Sequence, residues 1–329
     1  MPTPFTIWTN FGAKPDVTNS FASQLAPHRL VWAAKRSASN LESGSSDETL
    51  VEQADIAIGQ PSVEDLVAAK KLKLVILSSA GYTRYDRDDL RDHFRSRGMI
   101  LCNASSVYAE PCAQHLLAMM LGLSRQLPSA LDSQRSTNGW PYLRLREASS
   151  LLNDRSRVVI VGYGSIARRL IELLAPFRCA IVAFRRKPAG DENCPTLPVS
   201  QIDAYLGEAD HVVNILPSAT STTNFFDAAR LARVKPGAKF YNIGRGDTVD
   251  QSALVAALNA GRLGAAYLDV TNPEPLPPEH PLWSTQNCYI TPHIGGGSVD
   301  ESERQIAHFV ENVERFERGE TLVDRIFVA

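Results

Sequence analysis

Residues 157 to 167 read Arg-Val-Val-Ile-Val-Gly-Tyr-Gly-Ser-Ile-Ala, and few stretches of that length restrict a fold as tightly. A short apolar run enters Gly162-x-Gly164-x-x-Ala167, and a segment of helical period starts near Ser165. Gly162 permits a tight turn, Gly164 lets the backbone approach a pyrophosphate, and Ala167 is small enough for a helix to pack closely on a strand. The N–H groups that open the helix then face an anion, so this is the dinucleotide-binding form of a strand-to-helix turn.

The rest of the chain repeats the alternation. Phe5–Trp8, Leu30–Ala33, Ile56–Ile58, Leu72–Leu77 and Ile100–Cys102 read as strands, with helix-like stretches such as Ser62–Lys71 between them. A second series follows at Arg157–Val161, Ala180–Phe184, His211–Leu216, Ala238–Ile243, Gly264–Val270 and Cys288–Ile290. Both series predict an α/β fold of doubly wound parallel sheets. Between them lies Ala109–Gln126, whose stretch Leu116–Leu123 is apolar on every side, which predicts a helix buried all round in a domain core or a subunit interface. Ser298–Arg318 reads as an amphipathic helix with Ile306, Phe309, Val310, Val313 and Phe316 on one stripe, able to return to the first series. Asn40–Glu48, Arg185–Ser200 and Asn272–Pro281 read as loops.

The 329 residues leave room for two such units. Lys plus Arg number 34 against 36 Asp plus Glu, a net charge of −2 with a pI near 6.4, so neither a nucleic-acid surface nor an acidic tail is suggested. The mean hydropathy is −0.16, and the longest apolar runs, such as Leu116–Leu123, are far too short to span a membrane. The start lacks a basic stretch followed by an apolar one, which predicts no export. Cys102, Cys112, Cys179, Cys194 and Cys288 are scattered and odd in number, as expected of reduced thiols in a cytoplasmic protein.

About twenty residues beyond the glycine turn, NAD-binding folds place an acid for the ribose 2′-hydroxyl. This chain has Phe184-Arg185-Arg186-Lys187 there. Two guanidiniums suit a 2′-phosphate, so Arg185 and Arg186 predict NADP(H) in preference to NAD(H).

Three later segments, Asn242–Gly246, Leu268–Pro277 and Thr291–Gly296, fall at the ends of strands, where doubly wound folds bind ligands. Hydride reduction of a ketone places negative charge on its oxygen. Such a site needs a proton donor, a cation for an acidic substrate and a carboxylate to tune the donor. His293, Arg245 and Glu274 supply those types. The other histidines, His28, His93, His115, His211, His280 and His308, lack a partner pattern and read as packing or surface residues. No helical His-x-x-x-His or matching cysteine spacing suggests a metal.

The order of these motifs resembles the D-isomer-specific 2-hydroxyacid dehydrogenase family over most of the chain. The resemblance is carried by the Gly162 turn, Leu216-Pro217, Arg245-Gly246, Asp269 with Glu274-Pro275-Leu276-Pro277, His280-Pro281-Leu282-Trp283 and Pro292-His293. It implies a Rossmann nucleotide-binding domain (104–299) inserted into a flavodoxin-like substrate domain (1–103 with 300–329), a cleft between them and a homodimer formed through the nucleotide domain. It further implies His293 as general acid and base, Glu274 as the stabiliser of its imidazolium, and Arg245 as the clamp on the substrate's carboxylate and carbonyl. Ser165, Ile166, Leu216, Pro217, Thr222, Ile243 and Asp269 would line the cofactor. The N–H groups of Ala80 and Gly81 would bind the carboxylate, and Tyr108 reads either as reaching the cleft or as packing on the core. Tyr82-Thr83-Arg84-Tyr85 departs from the small and acidic residues common after that loop. The reaction implied is reduction of a small 2-keto acid of the glyoxylate or hydroxypyruvate kind to a D-2-hydroxy acid. A cofactor-sensing protein of the same family stays open. Formate dehydrogenases expect an amide where Glu274 stands, and the regulatory domain common in phosphoglycerate dehydrogenases has no length after Ala329.

Overall fold

In the first unit, the apolar runs of the sequence become β1 (Thr6–Phe11), β2 (Arg29–Ser37), β3 (Ile56–Gly59), β4 (Leu74–Leu77) and β5 (Ile100–Cys102). All pair in parallel in the order β2-β1-β3-β4-β5, the flavodoxin-like arrangement. Successive side chains point to opposite faces. Trp8, Val75 and Leu77 therefore pack with Leu66 and Phe94 on one side, while Ile7, Ile56 and Leu74 pack with Phe21 on the other. With both faces covered, the strands have no polar alternation to show, which is why they read as continuous apolar runs. The helices that cover them are α1 (Pro15–Gln24), α2 (Val63–Ala68) and α3 (Asp88–Arg97). Ser62 caps α2 by accepting the Asp65 N–H at 3.0 Å.

The computed structural model describes residues 4–37 and 53–327, so the Asn40–Glu48 loop lies outside the described residues. The chain forms two units, Met1–Tyr108 with Ser298–Ala329 and Ala109–Gly297. The helix α4 (Ser105–Ser124) crosses the junction and leads to α5 (Leu127–Thr137) and α6 (Tyr142–Ala148).

The second unit continues through β6 (Arg157–Val161), α7 (Ser165–Leu174), β7 (Ala180–Arg185), β8 (Thr196–Pro198), β9 (His211–Asn214), α8 (Ala228–Arg233), β10 (Ala238–Asn242), α9 (Gln251–Asn259), β11 (Leu263–Leu268) and β12 (Cys288–Ile290). The sheet order β8-β7-β6-β9-β10-β11-β12 is that of a Rossmann fold with one added strand. The direction of winding reverses between β6 and β9, so loops after β6, β9, β10 and β11 gather at one edge. In the first unit, α10 (Glu301–Glu317) buries Ile306, Phe309 and Val313, with the Phe309 ring 5.3 Å from Phe11 and 5.8 Å from Phe21. β13 (Arg325–Phe327) then adds antiparallel to β5.

Three sequence expectations change. The Arg185–Ser200 loop contains β8, a three-residue edge strand whose Pro198 pairs with Arg185 where a missing N–H costs no ladder bond. β13 is equally short, too short for periodicity to show. α4 begins at Ser105 and is not buried all round: Leu116, Met120 and Leu123 are inside, Leu117, Met119 and Leu121 are half-buried, and Ala118 is exposed.

Candidate active site

The turn after β6 depends on glycine at its first position. Gly162 has φ +99°, and a Cβ there would lie 2.8 Å from the Ile215 carbonyl oxygen, so only glycine lets β6 end against the chain leaving β9. At Gly164 an added Cβ would meet nothing within 4 Å. That residue opens α7 without a side-chain cap, so the positive end of the helix begins at a turn that carries no bulk. Ala167 is fully buried. The cradle fits the pyrophosphate of a dinucleotide.

Three loops of the second unit, those leaving β10, β11 and β12, bring the three chemical groups together. His293 Nδ1 and Glu274 Oε2 are 2.8 Å apart, and the other oxygen of Glu274 accepts the Thr271 N–H at 2.9 Å. An ionised carboxylate only accepts, so Nδ1 carries the proton and Nε2 is left as the working atom of the ring. Burial opposes ionisation of Glu274. The hydrogen bonds from His293 and Thr271, with the charges of His293 and Arg245, outweigh it and hold the carboxyl below its ordinary range. Arg245 donates to the Gly244 carbonyl at 2.7 Å. Its own carbonyl is gripped by Thr248 Oγ1 at 2.6 Å and Asn242 Nδ2 at 3.1 Å. A Cβ on Gly246 would fall 1.9 Å from the Thr271 carbonyl oxygen. The Arg245 loop therefore rests directly on the residue whose N–H holds Glu274.

The backbone of His293 lies in the left-handed region at φ 53°, a conformation that something must hold in a residue with a side chain. Asp269, 2% exposed, does so. Its carboxylate accepts the N–H groups of Ile294 at 3.0 Å and Gly295 at 2.9 Å, and its carbonyl accepts that of His293 at 2.9 Å. Asn214 plays the matching part for the other loops: its amide donates to Asn242 Oδ1 at 3.1 Å and Thr248 Oγ1 at 2.7 Å. Sequence reasoning did not single out Asn214 or Thr248. Their signal is that a buried amide and hydroxyl at a strand end need partners.

The family model of the D-isomer specific 2-hydroxyacid dehydrogenase, NAD binding domain, matches residues 117–295. The chain belongs to that dehydrogenase family. The glyoxylate reductase/hydroxypyruvate reductase of Mus musculus is 30% identical over 236 residues, 70% of this chain and 70% of that protein. A D-3-phosphoglycerate dehydrogenase of Mycobacterium bovis is 31% identical over 268 residues, 80% of this chain but 49% of that enzyme, so the chain spans about half of its length. Among solved structures, a D-isomer specific 2-hydroxyacid dehydrogenase from Xanthobacter autotrophicus Py2, in complex with NADPH and MES, superposes with a TM-score of 0.80 at 26% identity, covering 98% of each chain.

Against this family's pattern, the remaining predicted residues sort themselves. Ile243 and Leu216 are buried and Pro217 is exposed. The Thr222 hydroxyl is spent inside its own loop, donating to the Pro217 carbonyl at 2.7 Å and accepting the Ala219 N–H at 2.9 Å. Ser165 and Ile166 are half-buried at the start of α7. In the first unit, the carbonyls of Ser79, Ala80 and Gly81 are taken up by the Ala104 N–H at 3.0 Å, Asn103 Nδ2 at 2.6 Å and Ser79 Oγ at 2.6 Å. The N–H groups of Ala80 and Gly81 find no acceptor among the described residues. The half-buried Tyr108 hydroxyl donates to the Ser78 carbonyl at 2.9 Å and bonds Gln305 at 2.9 Å within that unit.

Arg185 is not a free cation. Its Nη1 lies 2.9 Å from Glu192 Oε1, a carboxylate 6% exposed that also accepts the Ala189 and Gly190 N–H groups at 2.7 and 2.8 Å. The Ala189 N–H, opposed by burial and reinforced by Arg185 and Gly190, brings Glu192 down to about 2. Arg186 and Lys187 are exposed and make no ion pair among the described residues. The acid was invisible to a search at the strand end because it stands seven positions further on, folded back by the turn.

Proposed function

We propose that this dehydrogenase reduces a small 2-keto acid, of the glyoxylate or hydroxypyruvate kind, to the D-2-hydroxy acid, with NADPH preferred over NADH. The observation that carries the reading is the His293–Glu274 pair, which leaves Nε2 as a proton donor beside a guanidinium in a fold whose glycine turn fits a dinucleotide. The nicotinamide cofactor, when bound, supplies the hydride. His293 gives a proton to the carbonyl oxygen as negative charge develops there, and Glu274 stabilises the imidazolium before transfer. In the reverse direction, His293 takes the proton back. Arg245 holds the carboxylate and the carbonyl through its planar fork. Ala80 and Gly81, with N–H groups unspent in their own unit, are the proposed carboxylate-binding pair. Asp269 and the segments at Leu216 and Ile243 shape the cofactor side.

The preference for NADPH rests on Arg186 and Lys187, with Arg185 shared between Glu192 and the 2′-phosphate. The Xanthobacter relative holds NADPH, which supports that assignment. A homodimer is proposed from the surface of α5 and α6, where Leu127, Leu131, Trp140, Tyr142 and Leu143 are all exposed in the single chain. A cytoplasmic location suits its five free thiols. No helix among the described residues is long and apolar enough to cross a membrane.

The test is a panel of 2-keto acids assayed with NADPH and with NADH. Turnover of glyoxylate or hydroxypyruvate with a higher kcat/KM for NADPH is expected. Cofactor binding without turnover on any acid would reverse the reading in favour of a sensor.

A further inference from the structure

Beneath the His293 turn runs a line of hydrogen bonds that none of the roles above uses. Tyr267, on β11, is fully buried. Its hydroxyl contacts Asp269 Oδ1 at 3.4 Å and Thr291 Oγ1 at 2.5 Å, and Thr291 in turn bonds the same Asp269 oxygen at 2.6 Å. On the far side the Tyr267 hydroxyl meets His115 Nε2, on α4, whose ring lies 5.5 Å from the tyrosine ring. Proton counting fixes the direction of the line. The carboxylate accepts only, so Thr291 donates to it and Tyr267 donates towards Thr291 and Asp269. The single phenolic proton is then spent, and the His115 contact requires Nε2–H to donate to the tyrosine oxygen. Every group from His115 to Asp269 is thereby oriented.

The geometry points to Tyr267, braced by His115, as a positioning residue for the reaction. It holds Asp269 at the angle from which that carboxylate grips Ile294 and Gly295, and so keeps His293 in its left-handed turn facing Glu274. This rests on the reading of His293 as the acid. Among the described residues the side chains that meet Asp269 Oδ1 are Thr291 and Tyr267, and Tyr267 also fixes Thr291; a turn residue in a left-handed conformation relaxes when its bonds loosen.

The same sheet supplies a control. Tyr241 pairs with Tyr267 across β10 and β11, is equally buried, and also bonds a histidine, His211 Nδ1 at 2.9 Å. It leads to no site residue. Tyr267→Phe and Tyr241→Phe are compared with wild type and with His293→Asn, using NADPH and glyoxylate or hydroxypyruvate, with kcat and KM taken across the pH range.

Tyr267→Phe is expected to lower kcat by about tenfold to a hundredfold, as a misplaced catalytic group does. It should also displace the limb of the pH profile that His293→Asn abolishes, with KM for NADPH little changed. Tyr241→Phe is expected to lose thermal stability to a similar degree while keeping wild-type kcat and pH profile. If Tyr267→Phe does not fold, Thr291→Val takes its place with the same expectation. The inference is overturned if the Tyr267 or Thr291 variant keeps the wild-type kcat and pH limb while His293→Asn is inactive. Full activity in His293→Asn would overturn the acid assignment itself and this inference with it.

Discussion

His293 and Glu274 are 19 residues apart in the chain, yet their side chains meet at 2.8 Å. Either alone is a commonplace residue, an imidazole at a strand end or an acid in a proline-rich loop. Their contact places the proton on Nδ1 and leaves Nε2 as the nitrogen that the proposed reaction would use. Glu274→Gln should therefore keep the fold and lower kcat by about a hundredfold to ten-thousandfold, the range of a lost acid–base contribution. Arg245→Ala should cost about a hundredfold or more if, as proposed, its charge faces the developing oxyanion. Steady-state rates with glyoxylate, read beside unchanged circular dichroism, check both. At the proposed cofactor end, Glu192 would compete with a 2′-phosphate for Arg185. Glu192→Gln is thus expected to raise the ratio of kcat/KM for NADPH over NADH, and a ratio that falls would show Arg185 to have no part in reading the phosphate. The residue types at these positions were legible from the sequence. The pairing of Arg185 was not, because nothing in a basic tripeptide reveals that the turn beyond it folds an acid back.

Among elements, the loops leaving β10 and β11 are stacked so closely that glycine is required between them. At Gly246 the obstacle to a methyl group is the Thr271 backbone, which cannot swing aside as a side chain would. Gly246→Ala should destabilise by about 1–3 kcal/mol, as overpacked sites do. It should also reduce activity further than the lost stability explains, since Thr271 carries Glu274. Thermal unfolding and kcat measured on one preparation separate the two effects. β6, β9, β10 and β11 were legible because they are almost wholly buried and so read as apolar runs, while β12, a half-buried three-residue edge strand, was legible from its Cys-Tyr-Ile run alone. β8 and β13 were missed because Thr-Leu-Pro and Arg-Ile-Phe offer neither an apolar run nor a period. The bonds from Asn214 to Asn242 and Thr248, and from His115 to Tyr267, depend on which strands are neighbours. Sheet order supplies that information; local pattern does not.

Across the whole molecule, buried ionisable groups set the response to acid. Burial, with the nearby charge of Lys239, pulls His211 down from 6.5 to about 3. The unfolded chain takes up a proton below about pH 6.5 that the native state refuses until near pH 3, so this group erodes stability as pH falls through that window. The slope is about 1.4 kcal/mol per pH unit for one proton. Denaturant unfolding at several pH values should show a shallower acid decline in His211→Gln. An unchanged decline would mean that other groups govern it. At the same scale, Leu131→Glu with Leu143→Glu should convert a dimer to a monomer by light scattering, because both side chains stand on the exposed apolar face of α5 and α6.

In the proposed reaction a proton leaves His293 Nε2 as hydride arrives at the substrate carbon. Initial rates of NADPH oxidation with glyoxylate and hydroxypyruvate, for wild type and His293→Asn at matched fold and cofactor affinity, test this most directly. Turnover that is robust in the wild type and reduced by about a hundredfold or more in the variant is the predicted result. Equal rates in the two proteins would contradict it.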